Sequence, residues 1–301
     1  MIETGDAFGD FRLLELLGIG GMARVYRAEP HSGGRVVALK IVRQHIAENP
    51  RLVRALINEA RLGIHLHHPN VVETYEFDSV GERYYIAMEY VDGYSVREVL
   101  QRTGAKGPLP HHTIVQVVRE VCDALGYVHG AVDDRGQPIN LVHRDLKPSN
   151  VMISLDGTIK LMDFGLAKAD THAYETTLSK MTKGTPLYMS PEQVRRKPLD
   201  QRSDVFAMGS LLAEMITGRP VFRADVLARV LLKVVKGDTG SALPTIERLF
   251  PGALPVVRRA LQVDPARRYA DAAEMGAALE EVARDLGPGE SLGPWLHERM
   301  T

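Results

Sequence analysis

Apolar and polar positions change their rhythm along the chain. In the first ninety or so residues the apolar positions come in short, strand-length runs: Phe11–Leu17, Arg24–Glu29 and Val36–Val42 read as strands, with Val71–Phe77 and Tyr84–Met88 as two more. One helix interrupts them. After Asn49-Pro50, Arg51–Leu66 is helix-forming throughout, with Leu52, Leu56, Glu59 and Gly63 on one side. From Ser95 the spacing becomes helical, in Val96–Arg102 and then His111–His129. The second carries the stripe Ile114, Val117, Val118, Val121, Leu125, Val128. Val205–Ile216 is a short apolar run that contains Glu214, which suits a buried helix better than a membrane span. The pattern predicts an α+β chain, β-rich with one helix at first and mainly helical afterwards. Residues after about Arg284 (GPGESLGPW) lose the helical pattern and read as a tail.

Composition narrows the picture by exclusion. The 301 residues are 45% hydrophobic and 25% charged, ordinary globular usage that suits one large domain or two lobes sharing an interface. A formal net charge of −1 gives no reason to expect nucleic acid or an acidic membrane surface as partner. The single cysteine, Cys122, falls in the apolar stripe. It excludes an internal disulfide and favours a reducing, cytoplasmic location. Met1–Asp10 lacks the apolar centre of a signal peptide, and no membrane segment is evident; the chain reads as soluble, or as the cytoplasmic part of something longer.

Chemistry concentrates in residues 141–165, LVHRDLKPSNVMISLDGTIKLMDFG. Val151–Ser154 and Thr158–Met162 form two strands turned at Asp156-Gly157, a hairpin signal. The hairpin gathers Asp145, Lys147, Asn150 and Asp163 at one edge of a small sheet. A base, a cation, an amide and a second carboxylate are the equipment for phosphoryl transfer with magnesium. Earlier, Gly18-Ile19-Gly20-Gly21-Met22-Ala23 joins two strands, where glycines let backbone N–H groups approach phosphate oxygens. Lys40 is the sole charge in VVALKIV. A strand lysine is more often solvent-facing, but the preceding glycine turn and the VALK string together reverse that reading. Glu59 is the one acid between Pro50 and Glu73. His65, His67 and His68 lack cysteine or carboxylate at metal-site spacing and read as helix-end and loop histidines.

HRDLKPSN followed by DFG across a hairpin resembles the catalytic and magnesium loops of eukaryotic-type protein kinases. GGMARVY and the compactness are most similar to the bacterial, Hanks-type serine/threonine branch. The resemblance covers about residues 8–284. It implies a bilobal protein-kinase fold: a small β-rich lobe (1–88) with one key helix, a hinge (89–93), a larger helical lobe (94–284) and a tail (285–301). It implies ATP and Mg2+. Gly18, Ile19, Gly20, Gly21 and Lys40 would hold phosphates, and Val25, Ala38, Met88, Glu89 and Val91 would surround adenine. Asn150 and Asp163 would bind the metal. Asp145 would act as base, with Lys147 on the γ-phosphoryl group, Glu59 on Lys40, and the Thr185 hydroxyl bonded to Asp145 and Lys147. Glu192 of the Ser190-Pro191-Glu192 motif would pair with Arg268. Partners would be proteins with Ser/Thr acceptors, including the chain's own activation segment, and a homodimer would permit phosphorylation in trans. Arg144 would meet a phosphate within Thr176–Thr182, with Thr177 and Ser179 favoured.

Two residues depart from the family pattern. Ala23 stands at a third glycine. Gly63 stands where a leucine or methionine would join the helix to Phe164 and Tyr75, which predicts an open space and a loosened helix. The rival readings are a pseudokinase or nucleotide-dependent scaffold, supported by those two residues, and a small-molecule phosphotransferase, against which the full activation segment argues. The polar excursion at 130–138 has no readable function.

Overall fold

The computed structural model describes residues 3–103, 108–132, 135–164 and 185–300, the side chains at 51, 55, 59 and 185 excepted. The chain divides into two compact units, with a boundary between Val91 and Asp92. The first is built on an antiparallel six-stranded sheet, in the order β1 (Ala7–Phe8), β2 (Phe11–Ile19), β3 (Ala23–Pro30), β4 (Val37–Val42), β6 (Arg83–Glu89), β5 (Thr74–Val80). Strand alternation divides its side chains between two faces. Leu13, Tyr26, Leu39 and Ala87 are buried on one, with Phe8, Phe11 and Tyr85. On the other, Val42 packs with Ile46 of the short helix α1 (Gln44–Ala47) and Leu56 of α2 (Pro50–Ile64).

Helix α2 starts where the sequence places it. Pro50 occupies its first position, where a missing N–H costs nothing, and Asn49 Oδ1 accepts from Leu52 N at 3.4 Å. The helix runs unbroken through Gly63. The open space expected there is not found. A Cβ at Gly63 would lie 2.8 Å from Thr74 Oγ1 and 3.3 Å from Thr74 Cβ, so the glycine is where α2 and β5 approach most closely. Tyr75 points to the opposite face, packs on the outer core and accepts from Arg35 Nη1 at 3.1 Å. Alternation along β5 thus puts a threonine, not the tyrosine, against the helix.

The second unit carries a three-stranded sheet, β7 (Gly93–Ser95), β8 (Val151–Ser154) and β9 (Ile159–Leu161), and most of the helices. Gly93, which the sequence assigns to the hinge, begins β7. Any Cβ there would fall 2.1 Å from the Ile153 carbonyl oxygen, so the strand pairing needs glycine. Helices α3 (Val96–Thr103) and α4 (His111–His129) precede the catalytic loop, and α5 (Pro191–Val194) and α6 (Arg202–Thr217) follow it. Every residue of α6 from Ser203 to Ile216 is buried, as its continuous apolar pattern requires. Then come α7 (Leu227–Lys236), α8 (Ala242–Leu249), α9 (Leu254–Ala260) and α10 (Ala272–Leu286). Cys122 lies fully buried in α4 against Gly276 of α10, and burial pushes its thiol well above its ordinary pKa.

The last residues are not a patternless tail. Leu292–Met300 forms a helix, α11, that buries Leu292, Trp295, Leu296 and Met300. Gly293 at its start meets the hairpin turn so closely that a Cβ would sit 2.9 Å from the Asp156 carbonyl oxygen.

Candidate active site

The β8–β9 hairpin is the platform. Val151 pairs with Leu161 and Ile153 with Ile159, and the Met162 N–H donates to the Asn150 carbonyl at 3.0 Å. Asn150 and Asp163 are thereby fixed on neighbouring strand ends. Asp163 adopts a positive φ of 58°, which aspartate tolerates better than most side chains. Ahead of the hairpin, Lys147 Nζ lies 2.7 Å from Asp145 Oδ2, and Asn150 Nδ2 donates to the Asp145 carbonyl at 3.0 Å. Asp145, Lys147 and Asn150 therefore share one hydrogen-bonded cluster.

Buried residues from distant parts of the chain hold this loop. Asp204, at the start of α6, accepts from His143 N at 2.7 Å, Arg144 N at 2.9 Å and His129 Nε2 at 2.9 Å. A carboxylate with three donors is a strong anchor, each such bond being worth roughly 1.5–3 kcal/mol. His143 is wholly buried. Its Nε2 faces the Met162 carbonyl at 3.2 Å and its Nδ1 faces Asp145 N at 3.3 Å. Those partners fit the neutral ring protonated on Nε2, and burial holds its pKa below the ordinary 6.5 despite Asp204 and Asp145. The ring thus ties the loop carrying Asp145 to the chain entering Asp163.

Arg144 has a φ of 65°, a strained value for a residue with a long side chain. Its carbonyl accepts from Gln193 Nε2 at 2.9 Å. Gln193 Oε1 in turn accepts from Ser190 N at 2.8 Å, while Ser190 Oγ accepts from Gln193 N, a capping box that opens α5. Beside it, Glu192 and Arg268 form a bidentate pair at 2.7 and 2.8 Å. All five guanidinium donors of Arg268 are used, on Glu192 and the carbonyls of Arg202, Gln262 and Val263. Burial alone would raise Glu192, but the bonds from Arg268 and Ser203 outweigh it and hold it below the ordinary carboxylate value.

In the first unit Lys40 sits on β4 between Val25 of β3 and Ile86 of β6. The loop carrying Gly20 and Gly21 closes through the Gly20 N–H to the Ala23 carbonyl at 2.9 Å, with Gly18 paired to Val25 and Ile19 exposed. Ala38 pairs with Met88, both buried, and Glu89 follows Met88 at the end of β6, two residues before Val91. The side chains of Glu59 and Thr185, together with Thr176, Thr177, Ser179 and Thr182, lie outside the described residues. Sequence reasoning missed Asp204 and Gln193 as supports for the loop. Their signals, an acid opening an apolar helix and a glutamine three residues after a capping serine, show where a helix begins but not what it holds.

The pattern of the protein kinase domain matches residues 11–279. The chain belongs to the protein kinase family. Its likeness is to the bacterial, Hanks-type serine/threonine branch. It is 35% identical over 276 residues to serine/threonine-protein kinase PknB of Mycobacterium leprae, covering 90% of this chain and 43% of that protein. It is 36% identical over 267 residues to serine/threonine-protein kinase PknL of Mycobacterium tuberculosis, covering 89% and 64%. The chain thus spans less than two thirds of these relatives. The crystal structure of the Mycobacterium tuberculosis PknI kinase domain matches at a TM-score of 0.68 with 24% identity, over 93% of this kinase and 99% of that chain, a likeness of fold.

Proposed function

We propose that this kinase transfers the γ-phosphoryl group of ATP to serine and threonine hydroxyls of proteins. The observation that carries it is the Asp145–Lys147–Asn150 cluster on an anchored loop. In this reading Asp145 orients and deprotonates the acceptor hydroxyl, and Lys147, 2.7 Å away, meets charge building on the transferred group. Lys40 and the backbone of Gly18–Gly21 hold phosphates, and Ala38, Val25 and Met88 line the adenine site with the backbone of Glu89 and Val91. Glu59 is the partner for Lys40, and Thr185 steadies Asp145 and Lys147.

The donor set fits magnesium. Asn150 spends Nδ2 on the Asp145 carbonyl, which leaves its amide oxygen, met by Ser149 Oγ at 3.4 Å, as the hard donor that would join Asp163 in holding the ion. Among the described residues no three His, Cys, Asp or Glu side chains converge, so the ion would complete its shell from nucleotide phosphates and water. Bound there, the metal would neutralise phosphate charge. Arg144 Nε is buried with no hydrogen-bond partner, which supports the expected role of Arg144 in receiving a phosphate on the activation segment. Substrates are proteins, the chain itself among them, and phosphorylation in trans would use a homodimer. No helix among the described residues is long and apolar enough to cross a membrane, and the buried thiol of Cys122 suits a cytoplasmic setting.

Asp145→Asn should abolish transfer to a protein substrate while ATP affinity changes little. Retention of more than roughly a tenth of wild-type turnover would overturn the assignment. A wild type that binds ATP but transfers nothing would favour the scaffold reading.

A further inference from the structure

A cluster of three arginines lies on the opposite face of the first unit's sheet from Lys40. Strand register shows why it is separate. Val25, Lys40 and Ile86 are direct partners and share one face; Arg24, Ile41 and Tyr85 are partners on the other. Arg43, two residues beyond Ile41, and Arg83, two before Tyr85, fall on the face of Arg24. All three arginines line one pocket of about 250 Å³, with Tyr26, Ile41, Val42 and Gln44.

The pocket holds a charge problem. None of the lining residues is acidic, and among the described residues none of the three guanidinium groups makes an ion pair. Each arginine is half-buried, and Arg43 Nε is fully shielded with no hydrogen-bond partner. Glu82, next to Arg83 in the β5–β6 turn, is exposed and pairs with none of them. Like charges facing one another across adjacent strands are destabilising. Partial burial weakens the water screening that makes such clusters harmless on an open surface.

We propose that this pocket binds a phosphate monoester. Guanidinium forks match phosphate oxygens two at a time, and several forks around one cavity can satisfy a dianion from different sides. Tyr26 and Ile41 give its lining apolar surface, which favours a phosphate carrying a hydrocarbon stem, as on phosphothreonine, over the free ion. The site is independent of the nucleotide assignment because it uses none of those side chains.

Thermal unfolding and calorimetric titration of the full chain in phosphate-free buffer test it, with O-phosphothreonine, a phosphothreonine peptide, the same peptide unphosphorylated, and inorganic phosphate as probes. The phosphorylated probes should raise the melting temperature, and salt should weaken them. Inorganic phosphate binding less tightly than phosphothreonine would identify the esterified group as ligand; equal binding would identify the free ion. Arg43→Gln and Arg83→Gln should each weaken binding roughly tenfold or more. They should leave the KM for ATP unchanged and should not lower the melting temperature without ligand, because each relieves repulsion. No binding by wild type, or binding unchanged in both variants, would overturn the site. A fall in ligand-free stability in both would show the arginines to be structural and equally overturn it.

Discussion

The catalytic loop and the glycine turn of this kinase, both proposed to act on phosphate, are held with opposite amounts of restraint. Around the loop, Asp204 fixes two successive backbone N–H groups, Gln193 fixes the Arg144 carbonyl, and His143 is locked between Asp145 and Met162. At the turn, backbone bonds within the hairpin suffice, a Cβ at Gly18 or Gly21 would meet nothing within 4 Å, and Ile19 is 61% exposed. The difference follows from the tasks. A base must meet one hydroxyl in one geometry, where a misplacement of about 1 Å can cost a hundredfold. Backbone N–H groups, if they hold phosphates as proposed, need no side chain fixed in one place, and the glycines leave the turn room to adapt.

The comparison breaks first at the Glu192–Arg268 pair. Arg268→Ala leaves Glu192 buried beside Ser203 without its counter-charge, and should cost about 3–5 kcal/mol by urea unfolding. Hydrogen exchange should show protection lost in α5 and α6 while β2–β4 keep theirs. Uniform loss over both units would mean that the pair does not act locally. The pH dependence has a fixed sign. Glu192 is depressed below its ordinary 4.5, so its contribution is complete above about that pH and fades as pH falls through the lower folded-state value. In Arg268→Ala that acid-dependent portion should shrink.

A smaller effect should come from Gln193→Glu. The variant keeps an oxygen for Ser190 N but sets a second acceptor against the Arg144 carbonyl. If the bond positions the loop, kcat should fall roughly tenfold to a hundredfold with KM for ATP nearly constant. Equal falls in stability and kcat, with KM for ATP rising as well, would reduce Gln193 to a helix cap.

What was legible in the sequence follows from distance along the chain. Asp145, Lys147, Asn150 and Asp163 flank one short hairpin, where local strand and turn rules place them near one another. Asp204 and Gln193 reach partners 61 and 49 residues away, and no local period carries that information. Helix α11 was hidden because Gly287, Pro288 and Gly293 interrupt its approach, whereas its burial depends on docking against α3 and the hairpin turn. The start of β5 was read too early because Val71 and Val72 are buried like strand residues but precede the ladder at Thr74.

The smallest effect tests Gly63, where the sequence predicted a gap and the structure places Thr74. A larger side chain should therefore not tighten the helix. Gly63→Leu should destabilise by about 1–3 kcal/mol through overpacking, and lower rather than raise basal activity. Gly63→Ala is the finer probe. Helix propensity favours alanine by about 1 kcal/mol, while its Cβ would sit 2.8 Å from Thr74 Oγ1, so the two effects should nearly cancel. Removing the hydroxyl separates them. In a Thr74→Ala background the Oγ1 contact disappears, and Gly63→Ala should then stabilise by about 0.5–1 kcal/mol. A double-mutant cycle in chemical unfolding measures that coupling. Coupling near zero would mean that α2 and β5 yield freely at this point, and that the close approach at Gly63 does not constrain the helix bearing Glu59.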